Sequence, residues 1–242
     1  MKARRDFHPL GAALVLGLCS LACAAACGGS GEGALESPDP LLSASNAAQV
    51  ELRRLLQRFA AASPDERTAL EPDLIAFRAR HPRDPLVRVA DAHLAWIALE
   101  EGRLRHAESL AAQLMAGPPG ATRDLAQVVR GATLRRSGRP ADAFAALRPL
   151  VGKLIDSYAR SLLNQEVVTA ATESGAFRAA IELADVWLRD VPDDERPAAR
   201  ARITELLQRI PRAELARALR ERQAAQPEDI PPSELLLRTL LA

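Results

Sequence analysis

Leu52, Leu55, Leu56 and Phe59 recur at i, i+3, i+4 and i+7, which places a single apolar stripe along a helix. Ser63-Pro64-Asp65-Glu66 follows, and each residue has a role in starting another helix. The serine can accept from the first free amides, the proline has its φ already set for the first helical position, and the glutamate can reach back to the serine. Asp84-Pro85 predicts a further start, as do Pro197, Pro211 and Ser233. Helix stops are predicted at His81-Pro82, Gly102, Gly138, Gly175 and Gln226-Pro227. No convincing period-2 run separates these signals, so the fold class is all-α.

The glycines also set a period. Gly102 to Gly138 is 36 residues and Gly138 to Gly175 is 37, and alanine stands five residues after each, at Ala107, Ala143 and Ala180. Proline stands seventeen residues after the first and third glycines, at Pro119 and Pro192. A helix, a glycine turn, a second helix with a small residue at its closest approach and a proline stop describe a stackable helical hairpin. The pattern resembles the tetratricopeptide repeat over roughly residues 85–192, with a degenerate unit before it ending at His81-Pro82. That resemblance implies a right-handed α-solenoid of helical hairpins over 44–192, closed by capping helices over 193–242. The chain departs from the repeat in several places. Asp91, Gln127 and Asn164 stand where its first helix has aromatic residues, Ile155 replaces one repeat-end proline, and Pro149 comes early. Arg130 at a usually apolar position predicts a one-residue shift of its helix.

Composition narrows the function classes. Hydrophobic residues make up 48% of the 242 residues but aromatic ones only 3%, which favours helix over sheet. Charge nearly balances, with 32 basic and 31 acidic residues, so no nucleic acid is expected as partner. All basic residues except Lys2 and Lys153 are arginine, many with acidic neighbours at helical spacing, which reads as solvated helix faces.

The N-terminus carries Lys2, Arg4 and Arg5, an apolar run from Leu10 to Leu18, and Ala24-Ala25-Ala26-Cys27. This is the layout of a secretory signal over 1–26. Together with the Gly/Ser-rich stretch from Gly28, it resembles the cleavage box of bacterial lipoproteins. The resemblance implies acylation at Cys27, with Cys23 the weaker candidate, and a flexible tether over 27–43. Gly28 after the cysteine implies sorting to the outer membrane, facing the periplasm. Arg4-Arg5-Asp6-Phe7 is similar to a twin-arginine signal, so both export routes stay open. Cys19, Cys23 and Cys27 are the chain's cysteines, which leaves the body without a cysteine nucleophile or a thiolate metal site.

His81, His93 and His106 lack metal-ligand spacing, and His93 reads as a structural histidine. Gly29-x-Gly31-x-x-Ala34 follows no strand and reads as linker. No catalytic motif is present, so the chain is expected to be no enzyme and to hold no cofactor or metal. In the resembled family the first helices line a concave groove. Carried over, this gives Val89, Trp96, Leu99 and Glu100 from the first unit, Val128, Arg135 and Arg136 from the second, and Gln165, Thr169 and Glu173 from the third. The expected function is a lipid-anchored periplasmic scaffold or adaptor that binds a protein or peptide partner in cell-envelope assembly. Its layout is similar to barrel-assembly lipoproteins. Alternatives are a regulator of peptidoglycan synthesis, similar to the helical domain of penicillin-binding protein activators, and a cell-wall lytic enzyme.

Overall fold

The computed structural model describes residues 43–154, 157–225, 231 and 233–241. The leader, Cys27 and nearly all of the tether lie outside the described residues. Those described belong to one compact unit, and every regular element among them is helical. No described helix is long and apolar enough to cross a membrane.

Helix α1 (Asn46–Ala61) buries Ala48, Leu52, Leu55 and Phe59. Its cap, Ser45, accepts from the Ala48 amide at 3.2 Å, and Asp84 in turn accepts from the Ser45 amide and hydroxyl. Helix α2 (Pro64–Thr68) starts with the reciprocal Ser63–Glu66 bonds that the sequence calls for, and it lasts only five residues. Helix α3 (Glu71–Arg80) ends as Pro82 approaches. Asp84-Pro85 forms a turn in which Asp84 Oδ1 accepts from the Leu86 amide, so helix α4 (Val87–Glu100) begins two residues past the proline.

Three pairs of helices follow: α4 with α5 (Leu104–Met115), α6 (Ala121–Arg136) with α7 (Pro140–Leu147), and α8 (Ser157–Glu173) with α9 (Phe177–Asp190). Their turns share one geometry. Gly102, Gly138 and Gly175 sit at φ +73°, +79° and +78°, a region costly for a side chain with a β-carbon. At each turn the glycine amide reaches back three residues, and the next amide reaches back five, to Ala98, Leu134 or Ala171. Ala107, Ala143 and Ala180 are all fully buried. Each helix from α4 to α8 packs on the next, and α4 also touches α6, as α6 touches α8.

Pro149 shortens α7, which passes into a single 3₁₀ turn over Arg148–Leu150. Arg130 is exposed, and its neighbour Gly131 is buried seven residues before Gly138, just as Ala95 is seven before Gly102. The two helices differ one residue earlier, where Leu94, eight before Gly102, is buried and Arg130, eight before Gly138, is exposed.

Helices α10 (Arg196–Leu207), α11 (Arg212–Ala225) and α12 (Glu234–Leu241) complete the unit. The leucine-rich α12 docks back on the fold: Leu237 is fully buried, and Leu236, Leu240 and Leu241 pack against the core. A polar ring holds its start. Asp185 of α9 accepts from Arg222 at 2.6 Å and from the Ser233 amide at 2.8 Å, and Arg222 also donates to the Ser233 hydroxyl at 2.7 Å.

Candidate functional site

The residues singled out by sequence converge on a seam shared by α1, α4, α6 and α8. Along the apolar half of this seam three aromatic side chains, Phe59, Trp96 and Tyr158, gather with His93. The rings of Trp96 on α4 and Tyr158 on α8 stack with centroids 4.5 Å apart and planes at 30°. Phe59 of α1 meets Tyr158 edge-on at 5.8 Å and His93 at 4.8 Å. The Val89 carbonyl can only accept, so the 2.8 Å contact fixes the His93 proton on Nδ1. The His93 ring also packs beside Tyr158, with centroids 6.4 Å apart.

Trp96 is 5% exposed and Leu99, Val128 and Thr169 are as deeply buried, so these four expected groove residues stand within the packed interior. The Thr169 hydroxyl donates to the Gln165 carbonyl at 2.7 Å, and the Gln165 side chain is half-buried. Val89 is also partly buried against the core.

The polar half of the seam is a set of ion pairs. Arg67 of α2 donates to both carboxylate oxygens of Glu100, at 2.5 and 3.0 Å, and to the Ala62 carbonyl. Arg135 donates to Glu166 at 2.7 and 3.3 Å and to Glu173 at 3.2 Å. Arg136 donates to the Leu99 carbonyl and lies 3.8 Å from the same Glu166. Glu166 is only 2% exposed, and two guanidinium groups offset the loss of its hydration. Burial alone would push the Arg135 pKa down, but bonding and charge from Glu166 and Glu173 raise it above the ordinary value. The arginine pair thus ties α4, α6 and α8 together.

Glu166, Arg67 and Tyr158 were not legible as site residues in the sequence. The first two act through partners more than thirty positions away. Tyr158 carried one usable signal, being the chain's sole tyrosine.

A second group of polar residues lies where α1 meets α3. His81 Nε2 is 2.9 Å from Glu51, which also accepts from Arg80. The Ser45 hydroxyl donates to Asp84 at 3.1 Å, and the imidazole is engaged by Glu51. Serine, histidine and aspartate are therefore close without forming a nucleophile–base relay, which needs the hydroxyl on the imidazole. An open depression of about 750 Å³ runs beside them between α1 and α3, with Val50 and Arg54 in its lining.

Compared with protein-family models, with curated proteins and with solved structures, the chain matches none.

Proposed function

We propose that this chain is an envelope scaffold, anchored by lipid on Cys27 in the outer membrane and facing the periplasm, that binds a protein or peptide partner. In this reading the body over 44–192 is a right-handed α-solenoid of tetratricopeptide-like hairpins, and 193–242 caps its end. The observation that carries the proposal is the threefold recurrence of one turn. The same left-handed glycine, the same two backward bonds and the same buried alanine five residues later return at 36- and 37-residue spacing. An array of this kind presents a long surface made of equivalent helices, which suits recognition of an extended or helical segment.

The concave side of such an array is the seam of α4, α6 and α8. Partner contact falls on its partly exposed polar members, Glu100, Arg135, Arg136 and Gln165, while Trp96, Leu99, Val128 and Thr169 hold those helices in place. Arginine beside buried aromatic residues is the composition that carries most binding energy at interfaces.

The test uses the full chain in cells. A photo-reactive amino acid at Gln165 should capture one defined partner, and the same group at the exposed Glu108 of α5 should not. Cys27→Ser should release the protein from membranes into the soluble fraction. Equal capture from both positions would overturn the seam as the binding face, and unchanged membrane retention of Cys27→Ser would overturn the anchor.

A further inference from the structure

Helix α1 turns one uninterrupted face outward. Ala47, Val50, Arg53, Arg54, Gln57 and Arg58 recur at helical spacing and are all exposed, opposite the buried Ala48, Leu52, Leu55 and Phe59. This face carries three guanidinium groups and no exposed carboxylate, because the helix's one acid, Glu51, is held by Arg80 of α3 and by His81. Arg58 pairs with Asp73, whereas the guanidinium groups of Arg53 and Arg54 have no partner among the described residues. The arginines of α10 and α11 stand differently, interleaved with Glu205 and Glu221, which pair with Arg202 and Arg217. Apolar exposure gathers nearby as well. Val50 and Ile75, each half exposed, are the large hydrophobic side chains left open among the described residues, and they belong to the neighbouring helices α1 and α3.

We propose that the outer face of α1 docks on an anionic phospholipid surface, with Arg53, Arg54 and Arg58 donating to lipid phosphates and Val50 entering among the headgroups. A guanidinium offers its N–H groups in one plane and bonds phosphate oxygens two at a time, so unpaired arginines on one helix face suit a field of phosphates. A protein occupant fits less well. A stable protein interface buries about 800 Å² on each side, and Val50 is the single large apolar side chain on this face. A second copy would set guanidinium against guanidinium. For its purpose the proposal rests on the lipid anchor of the function proposed above. Asn46 follows Cys27 by nineteen positions, and a basic face beside an acyl group is a common second contact that holds a lipidated protein against a bilayer.

The described residues belong to one compact unit that holds the whole core, so a chain beginning at Ser37 folds without the leader or Cys27. It is sedimented with vesicles of equal parts phosphatidylglycerol and phosphatidylcholine, and with vesicles of phosphatidylcholine alone. Binding is expected to the first and not to the second, and added salt should weaken it. Each arginine at an anionic surface is worth about fivefold in affinity, so Arg53→Gln with Arg54→Gln should weaken binding by about twentyfold. Neither side chain has a partner to lose, so the double variant should keep the parent's helical spectrum and melt. Arg105→Gln with Arg220→Gln removes the same charge from exposed positions on α5 and α11 and should change binding by less than about twofold. No binding to the anionic vesicles, or equal weakening by the two pairs, would overturn the proposal, the second result because it reports net charge alone. Retention on immobilised poly-glutamate without vesicle binding would overturn it too and assign the face to an acidic polypeptide. Release of Cys27→Ser from membranes tests the anchor separately, since the sedimented chain lacks that cysteine.

Discussion

Leu147 fills the space that a β-carbon on Gly131 would need: such an atom would stand 2.3 Å from Leu147 Cδ2 and 2.5 Å from Cγ. The glycine lets α6 and α7 approach closely, and Leu147, fully buried, uses the room. Gly131→Ala is therefore expected to destabilise by about 1–3 kcal/mol through overpacking, despite the better helix propensity of alanine. Urea denaturation checks the sign. Adding Leu147→Val should recover part of the loss, because the branch that meets the new methyl is shortened.

Ala107 and Ala180 are buried five residues past their turn glycines. Ala107→Leu and Ala180→Leu should each lower stability by about 1–3 kcal/mol. Ala112→Leu and Ala145→Leu, at exposed positions, should change it by less than about 0.5 kcal/mol. Thermal melts of the four variants side by side decide the matter, and equal effects in both classes would contradict the packing.

Arg222→Met removes the cation from a ring whose carboxylate, on Asp185, is 4% exposed. Stranding a buried charge costs about 3–5 kcal/mol, and the partial exposure of Arg222 favours the lower end. Hydrogen exchange over α12 should quicken in the same variant. Combining Arg222→Met with Asp185→Leu should recover only part of the stability, since both charges are then gone but the buried Ser233 amide has lost its acceptor, at about 1–3 kcal/mol.

The junction of α1 with α3 gives the stability curve an acid limb. The hydrogen bond from Arg80 holds the Glu51 carboxyl below its ordinary value of 4.5, burial opposes this, and His81 adds to it. A carboxylate with a depressed folded pKa stabilises above its unfolded pKa and loses that contribution as pH falls through the folded one. Glu51→Gln should accordingly flatten the loss of stability below about pH 4.5. Asp91 has the opposite sign. Burial raises its pKa against the pull of Arg78 and Arg88, and Arg78 Nε comes within 2.8 Å without hydrogen-bond alignment. Its contribution is full below the ordinary value of 3.8 and falls as pH rises through the raised one, so Asp91→Asn should remove a decline on that side. Denaturation series at stepped pH separate the two slopes.

Local chemistry made the helices legible. Ser63 with Glu66, the turn glycines, and the prolines at 82, 197 and 211 each act within a few residues of themselves, and the elements start or stop beside them. The candidate site was legible only in its apolar skeleton. Trp96 and Arg135 were singled out by register, but register does not say whether a guanidinium faces water or a buried glutamate on another helix. Arg135 meets Glu166 across 31 positions and Trp96 meets Tyr158 across 62, and no periodicity links such pairs. Gly131 shows the same limit at short range, since a small residue inside a helix reads as weakness until the leucine it accommodates is in place.

The ring of Asp185, Arg222 and Ser233 also sets an order of assembly. The turn bonds of the earlier hairpins close within five positions and the Arg67–Glu100 and Arg135–Glu166 pairs within 33 and 31, whereas the Trp96–Tyr158 stack needs 62. Asp185 waits for an amide 48 positions downstream. Arg222, eleven residues before Ser233 in the chain, reaches Asp185 Oδ2, and the Ser233 amide then completes the ring at Oδ1. A chain cut short before Ser233 would leave Asp185 paired to Arg222 but without the Ser233 amide, so the last hairpin would carry a half-completed ring at its end.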